Sequence, residues 1–113
     1  MPFIDSKITV KMSEQKKENI KMRLGEVISI LGKSETYLMV GFENGYSLYM
    51  GGRKLEKGAY VSVSVFGKAP SEACDRFTGE VCRILESELE IPAKNVYVSY
   101  WGTGDWGWNG NNF

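Results

Sequence analysis

A proline directly behind the first methionine, Met1-Pro2, is where this chain could do chemistry, because proline is the one coded residue whose free N-terminus is a secondary amine. Trimming of Met1, which is usual before a small residue, would start the chain with a candidate base. Many unrelated proteins begin Met-Pro, so the dipeptide alone decides nothing. The absence of histidine removes the commonest general base, Ser-His and Cys-His nucleophile pairs, and most zinc sites, and no metal is expected. Cys74 and Cys82 would stand about 12 Å apart along a helix, too far for a disulfide, and read as core or boundary residues. Lys33, just after Gly32, reads from its position alone as a solvated lysine at the negative end of a helix. Trp106, Trp108 and Phe113 lie in a tail rich in Gly and Asn that can build neither a helix nor a buried strand. They need a groove or a neighbouring subunit to cover them.

Composition narrows the partners. The 113 residues fit a single domain, 1–113, that buries roughly two-thirds of the surface its unfolded form exposes. The 14 Lys and Arg balance 14 Asp and Glu, and the basic pair Lys16-Lys17 is flanked by acids, so nucleic acid is not an expected partner. With Asp5 near the start and no early apolar run of about seven residues, no secretory signal is expected. Nothing approaches a membrane-crossing length of about 20 apolar residues, so no membrane is expected either. The expected location is cytoplasmic, any release being independent of a signal peptide.

The elements that would position these groups come as a repeat. Gly25-Glu26-Val27-Ile28-Ser29-Ile30-Leu31 returns as Gly79-Glu80-Val81-Cys82-Arg83-Ile84-Leu85, with five of seven positions identical. Each copy lies in the second half of an amphipathic stretch. One stripe is Ile20, Leu24, Val27, Ile28 and Leu31; the other is Phe77, Val81, Ile84, Leu85 and Leu89. Ser13 can cap the first helix, Gly32 follows its last turn, and Pro70-Ser71 opens the second. Strand-like runs precede and follow each helix: Phe3 to Val10, Tyr37 to Phe42, Tyr60 to Phe66 and Val96 to Trp101. The fold class is therefore α/β, a duplicated β-α-β unit (about 2–50 and 59–101) with a four-stranded sheet and two helices on one face. Asn44-Gly45 and Gly51-Gly52 bracket a short extra strand, Tyr46 to Met50, and Gly102 to Gly107 is a second turn-rich insert. The strands carry apolar residues on both faces, Val96, Val98 and Tyr100 against Tyr97 and Trp101. Two helices cover one face only, so an oligomer is expected to cover the other.

In this order and spacing, several words resemble the macrophage migration inhibitory factor family of the tautomerase superfamily over essentially the whole chain. They are Met1-Pro2, Leu31-Gly32-Lys33 with Tyr37, Gly51-Gly52, Phe66-Gly67-Lys68, Asn95-Val96-Tyr97-Val98, and the tail Gly107-Trp108-Asn109-Gly110-Asn111-Asn112-Phe113. The resemblance implies a homotrimer whose sheets wrap a central channel with the helices outside. It implies that Pro2 is a general base moving a proton between carbon and oxygen of an α-keto acid. Lys33 would bind the substrate carboxylate, and the N–H of Phe66 would assist. Tyr37, Tyr97, Trp108 and Phe113 would form aromatic walls, with Trp106 where relatives carry a smaller apolar residue. A Cys-x-x-Cys of the vertebrate cytokines is replaced by Gly58-Ala59-Tyr60-Val61, so thiol oxidoreductase activity is not expected. A family histidine becomes Ser64 and a family asparagine becomes Ser99, which bears on the choice of substrate.

Physical chemistry states what this role requires. A prolyl amine titrates above about 8, so little free base exists at neutral pH unless the site lowers its pKa. A lysine about 5 Å away repels the prolinium by ~0.8 kcal/mol in water but by ~3 kcal/mol at an effective dielectric constant near 20. Only the sheltered case moves the pKa by ~2 units, so aromatic walls that exclude water are part of the base. Enol and keto forms are close in energy, and no cofactor is expected. The sequence reading is a keto–enol tautomerase acting on a small aromatic α-keto acid such as phenylpyruvate. The alternatives are a cytokine mimic that binds a protein receptor with a vestigial pocket, or another superfamily reaction such as dehalogenation or decarboxylation.

Overall fold

Alternation makes the first strand. In β1, Pro2–Ile8, the residues Pro2, Ile4, Ser6 and Ile8 are buried while Phe3, Asp5 and Lys7 face the other way, as a pleated strand with one covered face requires. The computed structural model describes Met1–Phe113. Ser13 then caps α1, Glu14–Val27, its hydroxyl accepting from the Lys16 N–H at 3.1 Å. The expected single helix to Leu31 tightens over its last turn. Ile28–Leu31 is a 3-10 segment, closed where Gly32 enters the left-handed region at φ 72 and donates its N–H to the Ser29 carbonyl at 2.9 Å. Tyr37, expected to open a strand, instead ends a second 3-10 turn, Glu35–Tyr37, and β2 runs over Met39–Glu43.

The second unit repeats the plan. β5, Ala59–Phe66, buries Ala59, Val61, Val63 and Val65. After Pro70 comes α2, Ser71–Leu89, which buries Phe77, Val81, Ile84, Leu85 and Leu89 as its stripe predicts. Glu90 reverses the chain at φ 57, Ile91 is fully buried, and β6 spans Val96–Thr103. The sheet order is β2-β1-β5-β6. The pairs β1·β2 and β5·β6 are parallel, as β-α-β crossovers demand, and the two units meet through the antiparallel pair β1·β5. Apolar residues of both helices share one core with the buried side of the sheet. Glu88 clasps the helices together, accepting from Lys16 at 3.3 Å and Arg23 at 3.1 Å. No helix is long and apolar enough to cross a membrane.

The small elements differ from expectation. The strand expected over Tyr46 to Met50 shrinks to β3, Tyr49–Met50, which pairs with the unforeseen β4, Arg53–Lys54, across Gly51 (φ 60) and Gly52 (φ 79). Two successive positive φ values make the hairpin turn, while the Tyr46 N–H goes to the Ile8 carbonyl at 3.0 Å. Of the expected insert, Gly102 and Thr103 extend β6 opposite Val65 and Phe66. A side chain at Gly102 would run into the Gly67 carbonyl, so only glycine fits there. The tail forms a second hairpin, β7 (Gly107–Trp108) with β8 (Asn111–Asn112), turning at Asn109 (φ 54) and Gly110 (φ 87).

The uncovered face of the sheet is mixed rather than uniformly apolar. Its rim carries Met39, Tyr97 and Trp101, which are 67%, 66% and 59% exposed. Its centre is polar, with Ser62, Ser64, Ser99 and Asp5, and with Lys7 reaching Asp5 at 3.0 Å and Glu43 at 3.4 Å. Val96 is buried on the helix side, where the Tyr100 hydroxyl meets Thr78 at 2.7 Å and the Cys74 carbonyl at 2.9 Å.

Candidate active site

The antiparallel register of β1 and β5 sets Pro2 opposite Val65, so Met1 and Phe66 meet at the end of the ladder. The Phe66 N–H donates to the Met1 carbonyl at 3.0 Å. Gly32, by its left-handed turn, directs the chain off the first helix so that the Lys33 ammonium donates to the Phe66 carbonyl at 2.8 Å. Lys33 is thus half-buried at the head of β1 rather than solvated along the helix axis. The Pro2 ring is fully buried.

Beside this head lies a cavity of about 360 Å³ lined by Met1, Pro2, Tyr37, Met39, Trp106 and Trp108 among others. Tyr37 and Trp108 meet edge to face, centroids 5.7 Å apart, and Phe66 meets Phe113 in the same manner at 5.2 Å. The Phe113 N–H returns to the Trp106 carbonyl at 3.1 Å, so the tail hairpin is fastened at both ends. At these separations the rings of each pair touch directly, and the Tyr37–Trp108 pair forms an aromatic wall of the cavity. The Met1 amine is held below its ordinary value, first by desolvation and second by repulsion from Lys33. An amine at this end of β1 therefore feels the two influences that a neutral base needs.

Seven of the ten residues singled out from sequence meet at this end of the fold: Pro2, Lys33, Tyr37, Phe66, Trp106, Trp108 and Phe113. Of these, Pro2, Tyr37, Trp106 and Trp108 line the cavity itself, with Lys33, Phe66 and Phe113 beside it, and the other three lie elsewhere in the chain. Tyr97 faces a separate hollow of about 200 Å³ with Tyr49, Leu55 and Tyr60. Ser99 is engaged by its own protomer, its hydroxyl 2.7 Å from the Tyr60 hydroxyl and accepting from the Trp101 indole N–H at 3.2 Å. Within its own chain it braces two aromatic side chains. Ser64 lies on the uncovered face between Phe3 and Trp101. Phe3, Thr36, Leu38 and Met39 line the cavity and were not foreseen; the only available signal was adjacency to Pro2 and Tyr37.

Other polar groups offer little competing chemistry. A larger hollow of about 560 Å³ beside the start of α2 contains Lys68, Cys74 and Tyr100. Burial pushes the Tyr100 phenol up to about 12, so it stays protonated at neutral pH. Burial also raises the Cys82 thiol, and both cysteines are free. No group of three or more His, Cys, Asp or Glu side chains is placed to hold a metal ion.

The family model described as Macrophage migration inhibitory factor (MIF) matches residues 1–113. The chain is 31% identical to Leishmania major MIF2, with a TM-score of 0.93 over 100% of this chain and 97% of that one. It is 26% identical to a macrophage migration inhibitory factor homologue from Prochlorococcus marinus, with a TM-score of 0.87 over 98% of each chain. A fused 4-OT described as a symmetric trimer shares the fold at 15% identity, with a TM-score of 0.84 over 97% of this chain and 94% of that one. No curated protein matches.

Proposed function

The chain belongs to the macrophage migration inhibitory factor family, and from that premise we propose that it is a cofactor-independent tautomerase of small aromatic α-keto acids such as phenylpyruvate. The observation that carries the reading is the convergence of Pro2, a Lys33 ammonium fixed 2.8 Å from the Phe66 carbonyl, and an aromatic-walled cavity. With Met1 removed, Pro2 becomes a secondary amine. Lys33 takes the substrate carboxylate, and Tyr37 and Trp108 receive the ring. The neutral prolyl nitrogen accepts a proton from the carbon beside the keto group and returns it to the enolate oxygen, or the reverse. Lys33 does two jobs: it orients the anion and, by repulsion, keeps the amine neutral. Residues near the entrance exclude water and so strengthen both effects.

The active form in this reading is a homotrimer. β2 and β6 each pair on one side only, and the trimer described for the fused 4-OT supports closure into a ring. In a cyclic trimer every contact is heterologous, so the β6 end of one protomer meets a different surface of the next. Tyr97 and Ser99, both on β6, would reach a Pro2 cavity across that boundary. Sedimentation equilibrium should return about three times the chain mass; a monomer at micromolar concentration would remove the ring.

The decisive test is an assay of keto–enol conversion with processed protein and its Pro2→Gly variant. A positioned base contributes typically ~10²–10⁴-fold, so kcat should fall by at least ~100-fold. Intact mass measured on protein from its native source completes the test. A chain that retains Met1 quantitatively has only an amide nitrogen at Pro2, with no basic lone pair, and that outcome would favour the receptor-binding alternative.

A further inference from the structure

The tail hairpin beside the cavity turns on an Asn-Gly step. Asn109 and Gly110 both hold positive φ, 54 and 87, as a two-residue turn between β7 and β8 requires. Only Gly107 with Asn112 and Trp108 with Asn111 pair across it, and every residue from Gly107 to Phe113 is exposed. So short a ladder opens readily. The hairpin nevertheless sets the aromatic wall, bringing Trp108 to Tyr37 at 5.7 Å and Phe113 to Phe66 at 5.2 Å. The chain holds a second Asn-Gly step, Asn44-Gly45, which does not line the cavity. There the following N–H, of Tyr46, is held by the Ile8 carbonyl at 3.0 Å, and Lys11 packs 3.7 Å from where a side chain on Gly45 would begin. Gly110 has nothing within 4 Å on that side.

We infer that Asn109 is a self-modification site: its side-chain amide is lost to attack by the Gly110 backbone nitrogen, and the product lengthens the turn and unfastens the aromatic wall. The step needs no co-reactant but water. The Gly110 nitrogen forms a bond to Asn109 Cγ and gives up its proton, the bond from Cγ to the amide nitrogen breaks, and ammonia leaves behind a five-membered imide. Water then opens the ring. Opening at Cγ gives aspartate; opening at the main-chain carbonyl gives isoaspartate, whose backbone runs through Cβ and Cγ and is one atom longer. Glycine favours the attack because no Cβ shields its nitrogen or restricts the approach. A two-residue turn has no slack for an added atom, so isoaspartate breaks the β7–β8 register, and with it the bond from the Phe113 N–H to the Trp106 carbonyl. Trp108 and Phe113 then leave Tyr37 and Phe66. The modification regulates the proposed tautomerase and rests on that reading only for its effect on turnover.

The test ages the processed parent and an Asn109→Gly protein in parallel, at body temperature and mildly alkaline pH, beside a fresh Asn109→Asp protein. Gly-Gly keeps a turn of this class with no amide to lose, and Asn109→Asp carries the new charge without the longer backbone. Trypsin separates the two Asn-Gly steps into the peptides Ser34–Arg53 and Asn95–Phe113. Mass spectrometry of these should show the parent gaining about one mass unit at Asn109 several-fold faster than at Asn44. The rate should climb with pH, since the attacking nitrogen must lose its proton, and the product should be a substrate for isoaspartyl methyltransferase. In the isoaspartate form the NMR signals of the Trp108 and Phe113 rings should move toward those of free rings. KM for phenylpyruvate should rise roughly tenfold with kcat little changed. Aged Asn109→Gly and fresh Asn109→Asp should show neither change. An Asn109 that keeps its amide, or isoaspartate there with ring signals and KM unmoved, overturns the inference. So does an aged Asn109→Gly protein that loses its ring contacts as the parent does. Mass and ring signals involve no turnover, so they fail independently of the Pro2→Gly assay that tests the base.

Discussion

The two helices leave their last turns in the same way and deliver opposite things. The segment after α1 turns at Gly32 with φ 72, and α2 turns at Glu90 with φ 57. The residue after the first turn is Lys33, whose ammonium crosses to the Phe66 carbonyl; the residue after the second is Ile91, which is fully buried in the core. One structural position therefore reaches the proposed site in the first unit and serves packing in the second. The repeat builds a common scaffold, and the proposed site draws on the places where the copies part. The repeated glycines part likewise. A side chain at Gly25 would collide with the Glu35 carboxylate from the turn that carries Tyr37, whereas one at Gly79 would meet only the flexible end of Arg83, at 3.8 Å.

The sharpest way to break this comparison is to truncate both exits. Ile91→Ala should destabilise the fold by about 2–5 kcal/mol, as expected for a buried aliphatic residue, with KM unchanged at temperatures where the variant is folded. Lys33→Ala should leave thermal stability nearly unchanged and raise KM roughly tenfold or more, with some loss of kcat because the amine loses its cationic neighbour. Denaturant melts and steady-state kinetics on the two variants decide it. A Lys33→Ala protein that binds and turns over normally would erase the distinction between the exits.

Trp106 probes the same contrast from the tail. It is half-buried and lines the cavity beside Trp108. Trp106→Val should shift the ratio of kcat/KM toward bicyclic over monocyclic aryl α-keto acids by roughly tenfold, the scale at which apolar pocket volume discriminates. An unchanged ratio would mean that Trp106 closes the cavity without shaping it.

The smallest effect belongs to the helix clasp. Partial desolvation alone would raise the Glu88 carboxyl, but hydrogen bonds from Arg23 and Lys16 outweigh it and hold the group below its ordinary range. A depressed native pKa means stability that is present above the ordinary carboxylate pKa and lost as pH falls through the native one. Glu88→Gln should cost about 1 kcal/mol or less at neutral pH, and the gap from the parent should close in acid. Thermal melts from pH 7 to pH 3 test the direction; a gap that widens in acid contradicts it.

Much of this was legible because local rules and tertiary structure agree. Val61, Val63 and Val65 alternate with serines and form a strand; the Phe77-to-Leu89 stripe recurs on α2; Ser13 caps and Gly32 stops. What was not legible depends on long-range register. That Phe66 meets Met1 follows from antiparallel pairing between two units far apart in sequence, which no local pattern encodes. Tyr37 was read as a strand residue because aromatic side chains favour strands, but Ser34 caps a turn there through the Thr36 N–H at 3.1 Å. Thr36, Leu38 and Met39 come to the cavity with that turn. The contacts of the Ser99 hydroxyl with Tyr60 and Trp101 are likewise partners that only the folded sheet reveals.

The bare edges of β2 and β6 have a consequence for how the proposed enzyme responds to dilution. Each chain builds its own core, but in the proposed trimer the Tyr97 side of the cavity would arrive with a neighbour. Turnover per chain is then governed by mass action as well as by chemistry. Specific activity should decline on dilution before the helical signal does, in a band of concentrations set by dissociation of the ring, and a saturating aryl carboxylate that bridges two subunits should move that band lower.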